Sequence, residues 1–423
     1  MKIEIPYPGD PKIVNIPEKN VLMVGVPKNV PKLSNAKAKI LERLRSPIGA
    51  EPFSKRLKAG MKVCVLVDDV TRRTPIHEVL PVVLDEIMEN GIREGEIKVW
   101  VARGMHRAMT EEEVKEKVGE KVFKRFETRV HNFEDTANLV FKGHTSRGTP
   151  IWLNKAVVES DVIIGIGGIL LHWFAGYGGG VKMILPGICG RETILPNHNI
   201  LEPTCSACTL EGNPLRGEME EVARKAGLYL KIDCVMNSDN DLADVYAGDF
   251  ISEHRQAVKT YNEIYGISLP QKVEVVLTST MPKYHTFTQG IFMPLCTMHD
   301  VTTDNATLII DCPATEGYSF ATKGFAADMK AKLTLEQLEQ RVREGSIFEA
   351  ISFYHAAKIR DQRNVIVVSE NLTEEEMVQT GFKHAPTVEQ AVEMVFARHG
   401  QNAQMAVIPY GFSSVPMLAE KRA

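Results

Sequence analysis

The chain has 423 residues, with 50 Lys and Arg against 54 Asp and Glu, so its formal net charge is −4 at pH 7. This balance argues against a nucleic-acid-binding protein that depends on a strongly basic surface, and no apolar run approaches the roughly 20 residues that a membrane-spanning helix needs. At roughly 150 residues per domain, the length predicts two or three domains.

Seven cysteines are scattered along the chain, and the first ten residues, MKIEIPYPGD, lack the apolar core of a secretory signal. An odd, dispersed set of cysteines does not resemble a disulfide framework and favours a reducing compartment. We therefore expect a cytoplasmic protein that binds neither nucleic acid nor membrane.

Short apolar runs alternate with helical patterns in the first half of the chain, which is typical of an α/β fold. A helix is predicted over residues 78–90, and Thr110 with Glu113 has the spacing of a helix-capping box. The predicted strands of this half are Val63–Val67, Lys98–Ala102 and Asp161–Ile166.

The second half repeats this alternation from about residue 272. A helix is predicted over residues 387–399, ending at Gly400, and the predicted strands are Val273–Leu277, Thr307–Ile310, Asn364–Val368 and Met405–Ile408. We predict two α/β domains with mostly parallel sheets, residues 1–268 and 272–400, joined near Gly266–Gln271, with the active site in the cleft between them. Residues 401–423 form a tail that could belong to either domain.

Polar clusters follow the three predicted strands of the first half. They begin at Asp68, at Arg103 and at His172, and include the motifs DDVTRR and RGMH. Because open α/β sheets bind ligands outside the carboxyl ends of their strands, the three clusters predict one shared crevice, although loops are polar in any case.

Residues 165–199 contain nine glycines together with His172, Lys182 and His198. Glycine lets a backbone approach a ligand closely or bend sharply. The spacing matches neither a phosphate-binding P-loop, because Met183 follows Lys182, nor a dinucleotide fingerprint, because residue 170 is Leu. Lys182, in an apolar run, is either a surface lysine with a buried stem or one that carries a group covalently.

Other interpretations of single residues stay open. Each histidine alone is better explained as a structural residue than as a catalytic one. Cys205 and Cys208 have a CxxC spacing, but a second ligand pair is lacking nearby, so the spacing is a weak indication of zinc.

Taken together, these motifs resemble those of the nickel-pincer lactate racemase family. The resemblance rests on Asp-x-x-Arg within DDVTRRTP, Gly-x-His-Arg in GMHR, and HWFAGYGGGVKMILPG followed by His198. The order and spacing of these motifs are similar to the family's, and the overall layout matches over nearly the whole chain.

The resemblance implies a nickel-pincer nucleotide, a pyridinium-type mononucleotide with two sulfur-containing arms, attached covalently to Lys182. His198 matches the family's nickel ligand, and imidazole suits that metal. The phosphate is expected at the Gly-rich stretch or at the segment Asp69-Val70-Thr71-Arg72. The enzymes that build this cofactor are implied partners.

The implied reaction is the racemisation or epimerisation of a small-molecule 2-hydroxy acid by reversible hydride transfer, because the cofactor carries the hydride. His106 and His172 match the family's two acid/base residues, one for each enantiomer. Arg72 can grip the substrate carboxylate, Asp69 can orient Arg72 or a histidine, and Gln289 matches a substrate-binding glutamine.

The second domain departs from the family pattern. Phe292 stands where the family has a lysine, and no tryptophan follows Trp173. Lactate is therefore not the expected preferred substrate. Phe292 and Phe353 would suit an apolar or aromatic side chain, whereas a polyhydroxy chain is favoured by the more numerous polar residues Lys283, Tyr284, His285 and Thr288.

Two alternatives from other classes remain at this point. One is a metal-dependent hydrolase that uses His106, His172 and His198 as ligands, with Lys182 unmodified. The other is a non-catalytic sensor of hydroxy acids, which the presence of two candidate bases disfavours.

Overall fold

The computed structural model describes residues 1–281, 287–317, 333–345 and 350–419, apart from the side chains of Thr288, Gln289 and Ala350. Its strands in chain order are β1 (Lys2–Ile5), β2 (Lys12–Asn15), β3 (Val21–Val24), β4 (Val63–Val67), β5 (Ile97–Val101), β6 (Glu127–Val130), β7 (Leu139–His144), β8 (Pro150–Asn154), β9 (Val162–Gly168), β10 (Leu171–His172), β11 (Gly176–Tyr177), β12 (Leu228–Met236), β13 (Leu242–Gly248), β14 (Gly266–Leu269), β15 (Val273–Ser279), β16 (Thr302–Asp311), β17 (Asn364–Val368), β18 (Lys383–Ala385), β19 (Met405–Ile408) and β20 (Val415–Leu418).

The described helices lie between these strands and cover the sheets. They are Ala36–Arg45, Phe53–Arg56, Ile76–Glu89, Glu111–Val118, Glu120–Arg125, Lys155–Val158, Arg191–His198, Pro214–Ala226, Ser252–Tyr265, Phe287–Gly290, Phe292–His299, Leu335–Glu344, Ala350–Arg360, Glu374–Thr380 and Val388–His399, with a short 3₁₀ turn at Gly180–Met183. None of them is long and apolar enough to cross a membrane.

The first sheet has the strand order β13-β12-β9-β4-β5-β6, and only the β12–β13 pair is antiparallel. Val67 at the end of β4 aligns with Val101 of β5 and with Ile166 of β9. The chain continues from β4 to β5 on one side and later returns to β9 on the other. The first sheet therefore has a switch point at β4, where such sheets bind ligands.

The second sheet is wholly parallel, with the order β18-β17-β16-β15-β19-β3. Its central strands are buried on both faces and are rich in Val, Ile and Leu, as expected of a parallel sheet covered by helices. The α/β class with mostly parallel sheets is thus confirmed.

Several elements predicted from the sequence coincide with those of the structure. The strands Val63–Val67, Asn364–Val368 and Met405–Ile408 have the predicted bounds, and other predicted strands shift or lengthen at their ends. Thr110 and Glu113 form the predicted capping box, in which each side chain binds the other residue's backbone amide.

The N-terminal strands pack with the second sheet, whereas the sequence predicts residues 1–268 as a single first domain. Strand β3 pairs with β19 at the edge of the second sheet, and the β1–β2 hairpin places Ile5 and Val14 in the core beneath that sheet. Each of these strands has only four residues, too few for a reliable periodic pattern. The other domain boundaries remain predictions.

The predicted linker and tail meet in a small parallel sheet. Gly266–Leu269 of the predicted linker forms β14, which pairs with β20 near the end of the chain, while β19 is an inner strand of the second sheet. The tail therefore contributes an inner strand to the second sheet, and through β20 it also pairs with the segment that joins the two sheets.

Candidate functional site

A crevice opens at the switch point of the first sheet and has a volume of about 460 Å³, including the part open to solvent. The loops that follow β4, β5 and β9 and the glycine-rich stretch form its walls. Its lining includes Asp68, Asp69, Arg72, Ala102, Arg103, Gly104, His106, Gly167, Gly168, Gly178, Gly179, Lys182, Met183, Pro186 and Gly187. The crevice predicted from the polar clusters is therefore present.

Asp69 and His106 form a hydrogen-bonded pair across two of these loops. His106 Nδ1 lies 2.5 Å from Asp69 Oδ2, and the Thr71 amide and hydroxyl donate to Asp69 Oδ1 over 2.8 and 2.6 Å. Burial raises the pKa of Asp69, but the charge and hydrogen bond of His106 and the charge of Arg72 outweigh it, so this pKa lies below its usual range. Because a carboxylate only accepts, the His106 nitrogen that faces Asp69 carries a proton, and the catalytic use of the ring falls to Nε2.

Two buried cations fix the loops that carry this pair. Arg103 donates to the backbone carbonyl of His106. Lys117 donates to the carbonyl of Arg72 over 2.8 Å and forms an ion pair with Asp68 over 2.7 Å. Helix Glu111–Val118, which the capping box begins, thus anchors the Asp-x-x-Arg loop.

Lys182 lies in the 3₁₀ turn Gly180–Met183 and faces the crevice. Within the described residues its ammonium has neither an ion pair nor a hydrogen bond, and Nζ lies 5.6 Å from the centre of the Phe174 ring. Burial, with the charges of Arg72 and Arg216, lowers the pKa of Lys182 well below 10.5. These surroundings favour the neutral amine, which is the nucleophilic form of lysine.

His172 ends the first strand of the short β10–β11 hairpin, directly before this turn. Burial, followed by the charges of Lys182 and Arg72, lowers the pKa of His172 well below 6.5. The ring is therefore neutral at physiological pH, the form that accepts a proton. The Ala175 amide donates weakly to its Nδ1, over 3.4 Å.

His198 is the last residue of helix Arg191–His198 and is 3% exposed. Its ring packs edge-on against Phe174, with the ring centres 5.2 Å apart. Burial and the charge of Lys182 lower its pKa well below 6.5, while a hydrogen bond with the backbone of Ile194 acts in the opposite direction. Imidazole must be neutral to bind a metal, so this environment suits a ligand.

Aromatic rings connect the hairpin to the second domain. Trp173 lies 4.2 Å from Phe174, 5.8 Å from Phe292 and 5.3 Å from His355, measured between ring centres. Phe292 in turn lies 6.3 Å from Phe353. The residues next to His172 therefore contact two helices of the second domain, as expected for a site at the cleft between domains.

The remaining predicted site residues do not all line the crevice. Val70 is half-buried and is not among the residues that line the crevice, and the Thr71 hydroxyl binds Asp69 and Arg72. The side chain of Gln289 lies outside the described residues, as do Lys283, Tyr284 and His285. All seven cysteines are free, and no three His, Cys, Asp or Glu side chains in the described part of the chain converge as a metal site.

A cluster of buried charges lies behind the crevice and is absent from the predicted site residues. Lys231 and Asp233 alternate with apolar residues in the strand LYLKIDCVM, and both side chains are fully buried beneath the glycine-rich stretch. Arg216 and His254 lie beside them and are also buried. Charges in an apolar strand could have identified this cluster.

Comparison with known proteins identifies the family. The family model for the lactate racemase N-terminal domain matches residues 7–207, and the model for the lactate racemase C-terminal domain matches residues 289–415. A lactate racemase of Lactiplantibacillus plantarum is 28% identical over 382 residues, 88% of this chain and 89% of that protein. One of Thermoanaerobacterium thermosaccharolyticum is 26% identical over 98% of both chains.

Solved structures agree with this result. The lactate racemase apoprotein of Thermoanaerobacterium thermosaccharolyticum superposes with a TM-score of 0.90 at 25% identity, covering 99% of this chain and 100% of that one. A Thermotoga maritima protein shares the fold, with a TM-score of 0.67 at 17% identity, over 90% of this chain and 98% of its own. The resemblance seen in the motifs is confirmed: the chain belongs to the lactate racemase family and is an isomerase.

Proposed function

We propose that the protein racemises or epimerises 2-hydroxy acids at the crevice of the first sheet, with a nickel-pincer nucleotide attached to Lys182. The observation that carries this proposal is the grouping around one crevice of Arg72, of Lys182 without an ion pair in the described chain, and of the Asp69–His106 pair, with His172 close enough to respond to Arg72 and Lys182.

The residues present fit the implied cofactor. Lys182 is free of carboxylate partners in the described chain, and its surroundings favour the neutral amine that an attachment to carbon needs. His198 is a buried, neutral imidazole near it. The histidines do not converge into a metal site of their own, so other donors would have to come from the cofactor. When bound, the cofactor would supply reversible acceptance of the hydride from C2.

The charges of the crevice favour anionic ligands. Asp69 is paired with His106, and Asp68 is paired with Lys117. Arg72 and Lys182 have no ion pair within the described residues, and Arg216 adds a further buried cation behind them. A 2-hydroxy acid carboxylate and a nucleotide phosphate would offset this positive charge, and the planar guanidinium of Arg72 can hold a carboxylate through two hydrogen bonds.

The protein's own work is to move the hydroxyl proton. His106 has Nδ1 committed to Asp69, which leaves Nε2 to take the proton as the C2 hydrogen leaves with its electron pair. His172, kept neutral by burial and nearby cations, would serve the opposite enantiomer. An anionic substrate offsets the charge of Arg72 and eases protonation of the imidazole that must later return the proton.

We further propose that the preferred substrate is larger than lactate. Phe292 replaces a cation that would bind the acid, and with Trp173 and Phe353 it forms an apolar wall at the domain boundary. Lactate has few atoms with which to recover that lost contact. The described residues of this wall support an apolar or aromatic side chain, whereas the polar residues that favoured a sugar acid lie outside them.

The alternatives are less well supported. A hydrolase with a three-histidine metal site needs His106, His172 and His198 to converge, and they do not. A sensor would not need Asp69 to fix the tautomer of His106. We retain the cytoplasm as the proposed location because all seven cysteines are free.

The test uses holoprotein made together with the enzymes that build the cofactor. Single enantiomers of lactate, malate, phenyllactate and aldonates, each carrying deuterium at C2, are incubated and resolved by chiral chromatography. We expect inversion at C2 with most of the deuterium retained, and kcat/KM higher for a larger acid than for lactate. Rapid washout of deuterium into water would contradict hydride transfer, and a tenfold preference for lactate would contradict the argument from Phe292.

A further inference from the structure

Three buried side chains of the first domain grip the backbone of the glycine-rich stretch from below. We call Arg216, Asp233 and His254 the loop clamp. Arg216 lies on helix Pro214–Ala226, Asp233 on β12 and His254 on helix Ser252–Tyr265, and all three are at most 1% exposed. They have no part in the proton and hydride steps proposed above.

The loop clamp holds nearly successive peptide groups immediately before Lys182. Arg216 Nη1 donates to the Tyr177 carbonyl over 3.0 Å, and His254 Nε2 binds the Gly178 carbonyl over 2.9 Å. The Gly180 amide donates to Asp233 Oδ2 over 2.8 Å. The turn that carries Lys182 therefore begins on groups that the protein interior holds in place.

Close packing against the loop clamp explains two of the glycines. A Cβ on Gly179 would lie 2.7 Å from Asp233 Oδ1, and a Cβ on Gly180 would lie 2.6 Å from Arg216 Nη2. Both residues also have positive φ, 72° and 54°. These two glycines thus let the backbone rest on the protein's own buried charges, in addition to any approach to a ligand from the other side.

Burying this many charged side chains costs free energy of desolvation, so the cluster is a poor means of stabilising the fold. Lys231 Nζ pairs with Asp233 Oδ1 over 2.5 Å with both side chains fully buried, and burial raises the pKa of the neighbouring Glu253 well above its usual range. Buried ion pairs can often be replaced by apolar side chains with little loss of stability. The arrangement therefore calls for a reason other than stability.

The loop clamp connects directly to the residues that the proposed reaction uses. The Lys182 amide donates to the Gly179 carbonyl over 3.2 Å, and Arg216 is one of the charges that act on both Lys182 and His172. Resting on the proposed function, we infer that Arg216, Asp233 and His254 are positioning residues that hold Lys182 in place for cofactor attachment. They act through the backbone at residues 177–180 and touch neither substrate nor cofactor.

The experiment separates loop anchoring from fold stability by changing the buried ion pair in two ways. Lys231→Met with Asp233→Asn removes both charges but leaves an oxygen for the Gly180 amide. Lys231→Met with Asp233→Leu removes both charges and the oxygen. Each protein is studied without cofactor by amide hydrogen exchange over residues 176–183 and by the rate of Lys182 acetylation, with exposed Lys155 as the internal reference.

We expect the Asn form to retain the slow exchange of Gly180, and the Leu form to exchange and to acetylate Lys182 on the order of tenfold faster. His254→Leu is an independent test, because it removes the hydrogen bond to the Gly178 carbonyl and leaves Asp233 in place. It should speed exchange and acetylation, and His254→Gln, which can donate to the same carbonyl, should restore the slow rates. Asp311→Asn, a buried carboxylate of the second sheet, is the control and should change neither rate.

Equal exchange and acetylation in the Asn and Leu forms, or in His254→Leu and wild type, would overturn the inference. The same holds if Asp311→Asn loosens residues 176–183 as much as the Leu form does. Because both readouts use cofactor-free protein, they are independent of turnover. A clamp effect without any adduct in the holoprotein would contradict the proposed function and leave the anchoring of Lys182 standing.

Discussion

The two six-stranded sheets each carry a buried aspartate paired with a lysine near the carboxyl ends of their strands, and the two pairs differ. In the first sheet Asp233 lies 2.5 Å from Lys231 and accepts the Gly180 amide. Burial raises its pKa, but the charges of Lys231 and His254 outweigh it, so its pKa is lowered. This carboxylate stays ionised and holds the loop that leads to Lys182.

Asp311 of the second sheet is held less well. Lys12 lies 3.4 Å away and also contacts Glu370 over 3.3 Å, so burial dominates and raises the pKa of Asp311 to about 6. Its partner comes from the N-terminal hairpin that covers the sheet. The buried pair of the first sheet thus holds the loop that leads to Lys182, whereas the looser pair of the second sheet attaches the N-terminal hairpin that covers it. We therefore expect substitutions on the side of the first sheet to lower activity, and substitution of Asp311 to change mainly the stability of the fold.

The largest effects are expected from the two histidines on the first sheet's side. His106→Ala and His172→Ala should each lower kcat by about 10²–10⁴-fold, because each removes a positioned acid/base group. Both directions of the reaction should fall together, since they share one reversible path. Chiral assays from each pure enantiomer check this. If a variant lost activity in one direction only, or kept full activity, the proposed acid/base role of that histidine would be wrong.

A smaller loss is expected from Arg72→Lys. Lysine keeps the charge but cannot form the paired hydrogen bonds of a guanidinium. A charge-assisted hydrogen bond contributes roughly 1.5–3 kcal/mol, so kcat/KM should fall about 10- to 100-fold. Arg73→Lys, a change at the next residue, is the matched control. If steady-state kinetics showed the larger loss of kcat/KM in Arg73→Lys, the proposal that Arg72 binds the substrate carboxylate would be wrong.

A change of specificity is expected at the second domain's side of the cleft. Phe292→Lys restores the cation that the family pattern places there, so the ratio of kcat/KM for lactate to that for phenyllactate should rise about tenfold. Phe353→Leu, which trims the same wall without adding charge, serves as the comparison. An unchanged ratio in Phe292→Lys would show that this position does not meet the substrate.

The smallest effect on activity is expected at Asp311. Asp311→Asn should leave kcat unchanged but alter how stability depends on pH. A folded-state pKa near 6 lies above the ordinary 3.8, so the folded protein keeps a proton that the unfolded chain has lost. Stability relative to Asp311→Asn should fall by about 2 kcal/mol as the pH rises from about 4 to 7. Urea unfolding across this range measures it, and a constant difference would contradict the raised pKa.

Much of the first sheet could be predicted because its signals are local. Strands such as Val63–Val67 are unbroken apolar runs, and the polar residues after them must meet at one edge when the strands are parallel. The crevice with Asp69, His106 and Lys182 followed from that geometry and from the family motifs.

The rest depended on distant contacts that a local pattern does not reveal. Membership of β3 in the second sheet follows only from its pairing with β19, which comes almost 400 residues later in the chain. The loop clamp joins side chains from two helices and a strand to one turn, and only the charges of Lys231 and Asp233 in an apolar strand indicated it. The density of glycines predicted either close approach to a ligand or a sharp bend, and the structure adds a third reason at Gly179 and Gly180, where a Cβ would meet Asp233 and Arg216.

The most direct test of the central claim is the intact mass and nickel content of protein made alongside the cofactor-building enzymes. We predict an adduct that peptide mapping assigns to Lys182, with nickel bound. Lys182→Ala should lose the adduct, His198→Ala should keep the adduct but hold less nickel, and Lys155→Ala should match wild type. Protein from such a host with neither adduct nor nickel would contradict the account.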